Sequence, residues 1–184
     1  MLPDPGWPGD RVAPGEVELV RRFLNTTNRE NGADRLRTVA GLDRWLAGEG
    51  RGRVGATRAE LDRLIELREL LHAITTAHTS GEPTRDLMAR LAESVQNLAF
   101  VVDAGQSGLA IRPAGSRRFD VLLGDLALAV VDAERDGTWR RLKACSHCHW
   151  VVYDASKNAS GRWCSMTACG GREKAREYRR RRHG

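Results

Sequence analysis

The residues of this chain best suited to chemistry are its four cysteines, confined to one stretch: Cys145-Ser-His-Cys148, fifteen intervening residues, then Cys164 and Cys169. Two close pairs joined by a loop of this length can bring four thiolates to one tetrahedral centre, the coordination of a structural zinc ion. The alternative is one or two disulfides, which need an oxidising compartment. Met1 to Pro8 places acid and proline where an export signal needs a basic start and an apolar run. The expected location is therefore cytoplasmic, and the expected cofactor is one structural Zn2+ on Cys145, Cys148, Cys164 and Cys169. Four cysteines close the site to water and substrate. His147 and His149 are then spare donors, and redox chemistry at Cys145 and Cys148 lacks a thioredoxin-like strand and helix around it.

Other chemistry is thinly represented. Gly50 to Gly55 is glycine-rich and carries Arg51 and Arg53, but it has neither the preceding strand nor the glycine pattern of a phosphate loop. His72 and His78 have no acid or cysteine at motif spacing and read as structural or surface histidines. There is no nucleophile–base pair, no paired carboxylates at motif spacing and no cofactor fingerprint, so the chain is expected not to be an enzyme.

The formal net charge of +6 is unevenly placed. From Trp139 to Gly184 there are twelve Lys/Arg against three acids, a net of +9, which leaves −3 on residues 1–138. Four thiolates on one Zn2+ bring the basic end to about +7. A basic head on a mildly acidic body is suited to a polyanion. At 100° per residue, Arg172, Arg176, Arg179, Arg180 and His183 share about a third of a helix circumference, with Ala175 and Tyr178 away from its centre. That predicts a basic face and a packable face. The competing reading is a solvated helix whose cations merely complement its dipole.

Several elements must position this end. Leu19, Val20, Phe23 and Leu24 form a helical stripe within residues 16–24, and a second helix starts near Thr38 and stops at Gly48-Glu-Gly50. Thr57-Arg-Ala-Glu60 matches a capping box and opens a helix through Leu61, Leu64, Leu67, Leu71 and Ile74 that ends before Gly81. Pro83 suits the first turn of a fourth helix, continued by Leu87, Met88, Leu91 and Val95. The pattern then changes to two β-prone runs, residues 98–103 and 108–112, around Gly105-Gln-Ser-Gly108: a hairpin whose apolar face is expected to pack on the helices. Residues 117–136 carry Phe119, Leu122, Leu123, Leu126 and Val130 and predict the central buried helix. In the cysteine stretch, residues 149–154 are β-prone and residues 161–164 are expected to return antiparallel to them. Trp139, Trp150, Tyr153, Trp163 and Tyr178 are either core for a small metal-held module or stacking platforms for bases. No uncharged run approaches the ~18 residues of a membrane span.

The residues Leu142-Lys-Ala-Cys-Ser-x-Cys148, Trp150-x2-Tyr153-Asp154-x-Ser156-x-Asn158 and Arg162-Trp-Cys-Ser-Met166-x2-Cys169-Gly170-x-Arg172-x-Lys174-Ala175-x2-Tyr178 resemble the CGNR zinc finger. The preceding body, with Phe23-Leu-Asn25-Thr26, a helical middle and Asp136-Gly-Thr-Trp139, resembles the ABATE domain usually found with it. Gly171 stands where the finger family has asparagine. The resemblance implies a bacterial transcription regulator with a DNA-binding finger.

Together these readings predict a mainly α, α+β chain. A disordered arm (1–14) precedes an α-rich body (15–138) and a treble-clef-like or ribbon-plus-helix four-cysteine module (139–184). Arg172, Lys174, Arg176, Arg179 and Arg180 are the expected contacts to DNA. RNA, with Trp150 and Tyr153 stacking on unpaired bases, and a protein-interaction clip are the rival partners. A homodimer and a small-molecule ligand of the body are further expectations; a membrane is not.

Overall fold

The computed structural model describes residues 12–105 and 108–183, and of Glu177 and His183 only the backbone. The arm expected over residues 1–14 lies outside the described residues up to Arg11. Ala13 is already buried, with its N–H donated to the Glu18 carboxylate at 2.8 Å. The turn residues Gln106 and Ser107 are likewise outside the description.

Five helices build the body: α1 (Val17–Leu24), α2 (Val39–Gly48), α3 (Arg58–Ser80), α4 (Arg85–Val95) and α5 (Arg118–Arg135). Two of them start where a side chain provides for the free amides of the first turn. The Thr38 hydroxyl accepts from the Gly41 N–H, and Thr57 and Glu60 close both arms of the capping box. The longest helix, α3, stops at Gly81, whose φ of 82° is the left-handed conformation that ends helices without a Cβ penalty. Leu61, Leu64, Leu71 and Ile74 of α3 meet Phe119, Leu122, Leu123 and Leu126 of α5 and Val20, Phe23 and Leu24 of α1 in one core. The central position expected for residues 117–136 alone is shared by α3 and α5, because α3 is long enough to pack against α1, α2, α4 and the finger strand β5 described below.

Pairs of short antiparallel strands complete the body. β1 (Thr27–Asn28) and β2 (Ala33–Asp34) close a tight turn pinned to α3 by Arg68. The Arg68 guanidinium is 3% exposed and grips Asp34 with two bonds of 2.7 and 2.8 Å, with a third to Thr26. Burial alone would raise the Asp34 carboxyl, but the Arg68 and Leu36 hydrogen bonds outweigh it and hold the group below its ordinary range. The glycine-rich loop has a structural use as well, since Arg51 pairs with Asp125 of α5.

The second pair, β3 (Ala99–Gly105) and β4 (Gly108–Ala114), is the expected hairpin, in register over seven residue pairs. Its packing differs from expectation. Only the base, Phe100 and Pro113, seats on α5 against Gly124, where a Cβ would stand 2.5 Å from the Pro113 ring. The remainder overhangs the body.

Candidate metal centre

After α5, one 3-10 turn (Trp139–Arg141) leads into β5 (Leu142–Ala144), the cysteine knuckle and β6 (Val151–Tyr153). β5 and β6 pair antiparallel with Leu142 opposite Tyr153 and Ala144 opposite Val151. The expected partner of residues 149–154 was residues 161–164, and this is corrected by the strand preceding the first cysteine. Cys145 to Cys148 reverses the chain so tightly that the flanking segments meet each other first. The Cys145 N–H donates to the Trp150 carbonyl and the His149 N–H to the Cys145 carbonyl, both at 2.9 Å, with His149 at a left-handed φ of 61°. Residues 161–164 come alongside through one bond, Ser146 N–H to the Arg162 carbonyl. The loop between is tied by Asp154, which accepts from the Ser156 and Gly161 amides beside the buried Lys143.

Ser165 then caps a single π turn (Met166–Gly170) that carries Cys169 and runs into α6 (Gly171–His183). Cys169 therefore lies at the start of the C-terminal helical run, where the helix dipole favours its thiolate.

The four sulfurs converge. All lie within 4.8 Å of one another, with Cys148 3.6 Å from Cys164 and Cys164 3.5 Å from Cys169. Zinc–sulfur bonds of about 2.3 Å place tetrahedral ligands about 3.8 Å apart, so this spacing fits a zinc ion, and none of the four is in a disulfide. The donor chemistry fits too. Hydrogen bonds from Cys148 and Cys164 draw the Cys145 thiol down, helped by the backbone amides of Cys148 and Cys164. Cys145 in turn pushes Cys148 up to about 12 and raises Cys164, while burial raises Cys169. Four sulfurs this close ionise together only around a dication. The cysteines are buried beneath Trp150, Val152 and Trp163, so the centre is closed. His147 points instead toward Glu173, at 3.9 Å.

The knuckle is fused to the body. Trp139, Leu142, Ala144 and Val151 belong to the main core, so the chain passes from body to finger without a linker. Asn25 at the end of α1 donates to the Val151 carbonyl at 2.8 Å and accepts from its N–H at 2.9 Å, supplying the bonds a third strand would give. From α3, the imidazole of His72 bonds the His149 carbonyl at 2.9 Å, that of His78 the Leu142 carbonyl at 3.0 Å, and the Thr79 hydroxyl the Ala144 carbonyl at 2.7 Å. Burial pushes His72 down to about 4 and lowers His78, so both rings are neutral donors near pH 7. Sequence reasoning classed both as structural or surface histidines and missed their docking role. The available signal was the spacing of His72 and Thr79, which lie about two turns apart on one face of α3.

A model of the ABATE family, described as "Putative stress-induced transcription regulator", matches residues 18–137. The chain belongs to the ABATE family. A second model, the CGNR zinc finger, matches residues 141–182, and with the sulfur geometry it makes the centre a single structural zinc site. No curated protein matches the ABATE chain. The two matches meet where Trp139 and β5 enter the ABATE core.

The basic end looks different. Arg172, Lys174, Arg176, Arg179 and Arg180 are on α6, with Arg181 and Arg182 beyond them, and all seven are exposed, Arg172 with 56% and Arg176 with 64% of its side chain in water. Ala175 is exposed and Tyr178 is 61% exposed, so the packable face expected for this helix is packed on nothing among the described residues. The side chain of His183 lies outside the described residues. Arg172 reaches Glu30 on the β1–β2 turn at 3.1 Å, and Arg176 stands 3.9 Å from Glu173. Of the five aromatic residues, Trp139 and Tyr153 pack with the body core and Trp150 and Trp163 with the cysteines; Tyr178 is the exposed one, with Arg182 over its ring.

Proposed function

We propose that this ABATE–CGNR chain is a DNA-binding regulator whose zinc centre launches α6 as a phosphate-contacting helix. The supporting observation is that α6 presents Arg172, Lys174, Arg176 and Arg179 to Arg182 to solvent along most of its length. A helix this highly charged gains little from burial, and its like charges repel at i,i+4 spacing (Arg172/Arg176 and Arg176/Arg180). A polyanion relieves that repulsion and releases counterions. The Arg172–Glu30 bridge is solvent-exposed on both sides and exchanges easily for a phosphate. Single-stranded RNA is the less favoured partner, because Trp150 and Tyr153 are engaged in packing and Tyr178 is the exposed ring. For the body, the reading is that it carries and aims the finger. A small-molecule signal would enter the cleft lined by Arg29, His72, Thr76, Glu82, Leu87 and His149, which touches α3 and the knuckle together.

The test is an anisotropy titration of zinc-loaded protein against a broad pool of duplex DNA at several salt concentrations. Affinity falls steeply with salt, and Arg176→Ala with Arg180→Ala reduces the log–log slope by about two. Salt-independent binding, no binding, or tighter binding to single-stranded RNA contradicts the reading.

A further inference from the structure

The β3–β4 hairpin is well formed and poorly covered. Of nine exposed large apolar side chains among the described residues, five lie in it: Phe100, Val101, Val102, Leu109 and Ile111. The register sorts them. Cross-strand pairs share a face, so Phe100 and Pro113, Val102 and Ile111, and Ala104 and Leu109 line one side. The other side carries Val101 and the Asp103–Arg112 ion pair. Every described residue of the first face is apolar. Its base rests on Gly124 of α5, while Val102 is 66%, Ile111 47% and Leu109 84% exposed.

A two-stranded ribbon is marginal in water unless a third layer covers its apolar face. Here that layer is missing beyond Phe100 and Pro113. We infer that the overhanging face is a homodimerisation surface, covered by the same face of a second copy of this chain about a two-fold axis near Val102 and Ile111. The charge pattern favours this occupant. A face without charge stacks on itself and leaves no ion unmatched, whereas it offers nothing to the phosphates of a nucleic acid, and the hairpin's own cation, Arg112, is held by Asp103 on the reverse side. Two stacked faces remove on the order of 1,000 Å² of surface in total, the lower end of a specific interface. The ion pair on the reverse side stays in water and keeps that side from stacking further. The dimer does not depend on the nucleic-acid reading, though it would present two α6 helices at a fixed separation.

Sedimentation velocity on the zinc-loaded full chain over a range of concentrations tests it. The wild type reaches twice the 20.4 kDa chain mass and stops there. Val102→Glu with Leu109→Glu places like charges across the axis and raises the dimer dissociation constant about a hundredfold or more. Because both side chains are exposed, zinc content and melting temperature of the dilute protein stay as in the wild type. Val102→Thr with Leu109→Thr, which keeps the strand propensity, weakens the dimer in the same direction should the acidic variant misfold. A wild type of single-chain mass at all concentrations, a mass that grows without limit, or a dimer retained by folded variants overturns the inference.

Discussion

The two halves of the finger share one zinc centre and differ in how they are held to the body. The first half, Leu142–Tyr153, is built into the ABATE core, with Leu142, Ala144 and Val151 buried and five of its backbone groups bonded by Asn25, His72, His78 and Thr79. The second half, Cys164–His183, reaches the body through the Arg172–Glu30 bridge and carries a cationic helix whose described arginines and lysine are exposed. The difference separates two uses of a metal. For the first half, zinc adds to a fold that packing already specifies. For the second, zinc is the main restraint, because a 13-residue helix of this composition is too short and too charged to persist alone.

Breaking the ligands should expose that asymmetry most strongly. Cys169→Ser removes a ligand from the weakly held half. Zinc affinity should collapse, since structural zinc contributes roughly 10–16 kcal/mol, and the circular dichroism of α6 should be lost while the melting of the body persists. Cys145→Ser, in the buried half, should lose zinc equally and lower the body's melting temperature as well. Equal effects of the two substitutions on the body would erase the distinction.

The docking histidine gives the next largest effect. The unfolded His72 titrates near 6.5, whereas burial holds the folded ring to about 4, so the unfolded chain takes up the proton first. Stability is full above about pH 6.5 and falls as pH drops toward 4, by at most about 3 kcal/mol. Zinc release also destabilises the protein in acid, so the informative quantity is the difference between wild type and His72→Gln in denaturant melts at each pH. That difference should shrink steadily from pH 7 to pH 4.

Asn25→Ala should cost about 2 kcal/mol, because it strands both backbone groups of Val151 in a buried setting. Urea midpoints of the zinc-loaded proteins measure it. On the exposed half, Gly171→Ala should do the reverse on a smaller scale. Gly171 has helical φ and ψ (−64°, −42°), and the nearest atom to a Cβ there would be 3.7 Å away. Alanine should stabilise α6 by about 0.5–1 kcal/mol, read as a gain in helical circular dichroism.

What could be read from the sequence divides along the same line. The cysteine spacing, the capping box at Thr57 and the stop at Gly81 are local signals, and the structure places each where those signals predict. The β5–β6 pairing was missed because Lys143 interrupts a run of only three residues, too short for a periodicity to show. Nothing local marks Asn25 as a partner of Val151, 126 residues away. Arg68 likewise sits within a leucine-rich helix, where its burial depends on Asp34 arriving from a distant turn. The packable face assigned to α6 failed for a related reason: Ala175 and Tyr178 stay exposed, and Tyr178 is met by Arg182 of the same helix rather than by a part of the body.

Hydrogen exchange on the full chain, zinc-loaded and after chelation under reducing conditions, tests the central claim most directly. The account predicts that amides of residues 171–183 lose their protection on chelation while those of α3 and of Leu142–Ala144 keep most of theirs. Uniform loss throughout the chain, or protection of α6 that survives chelation, would contradict it.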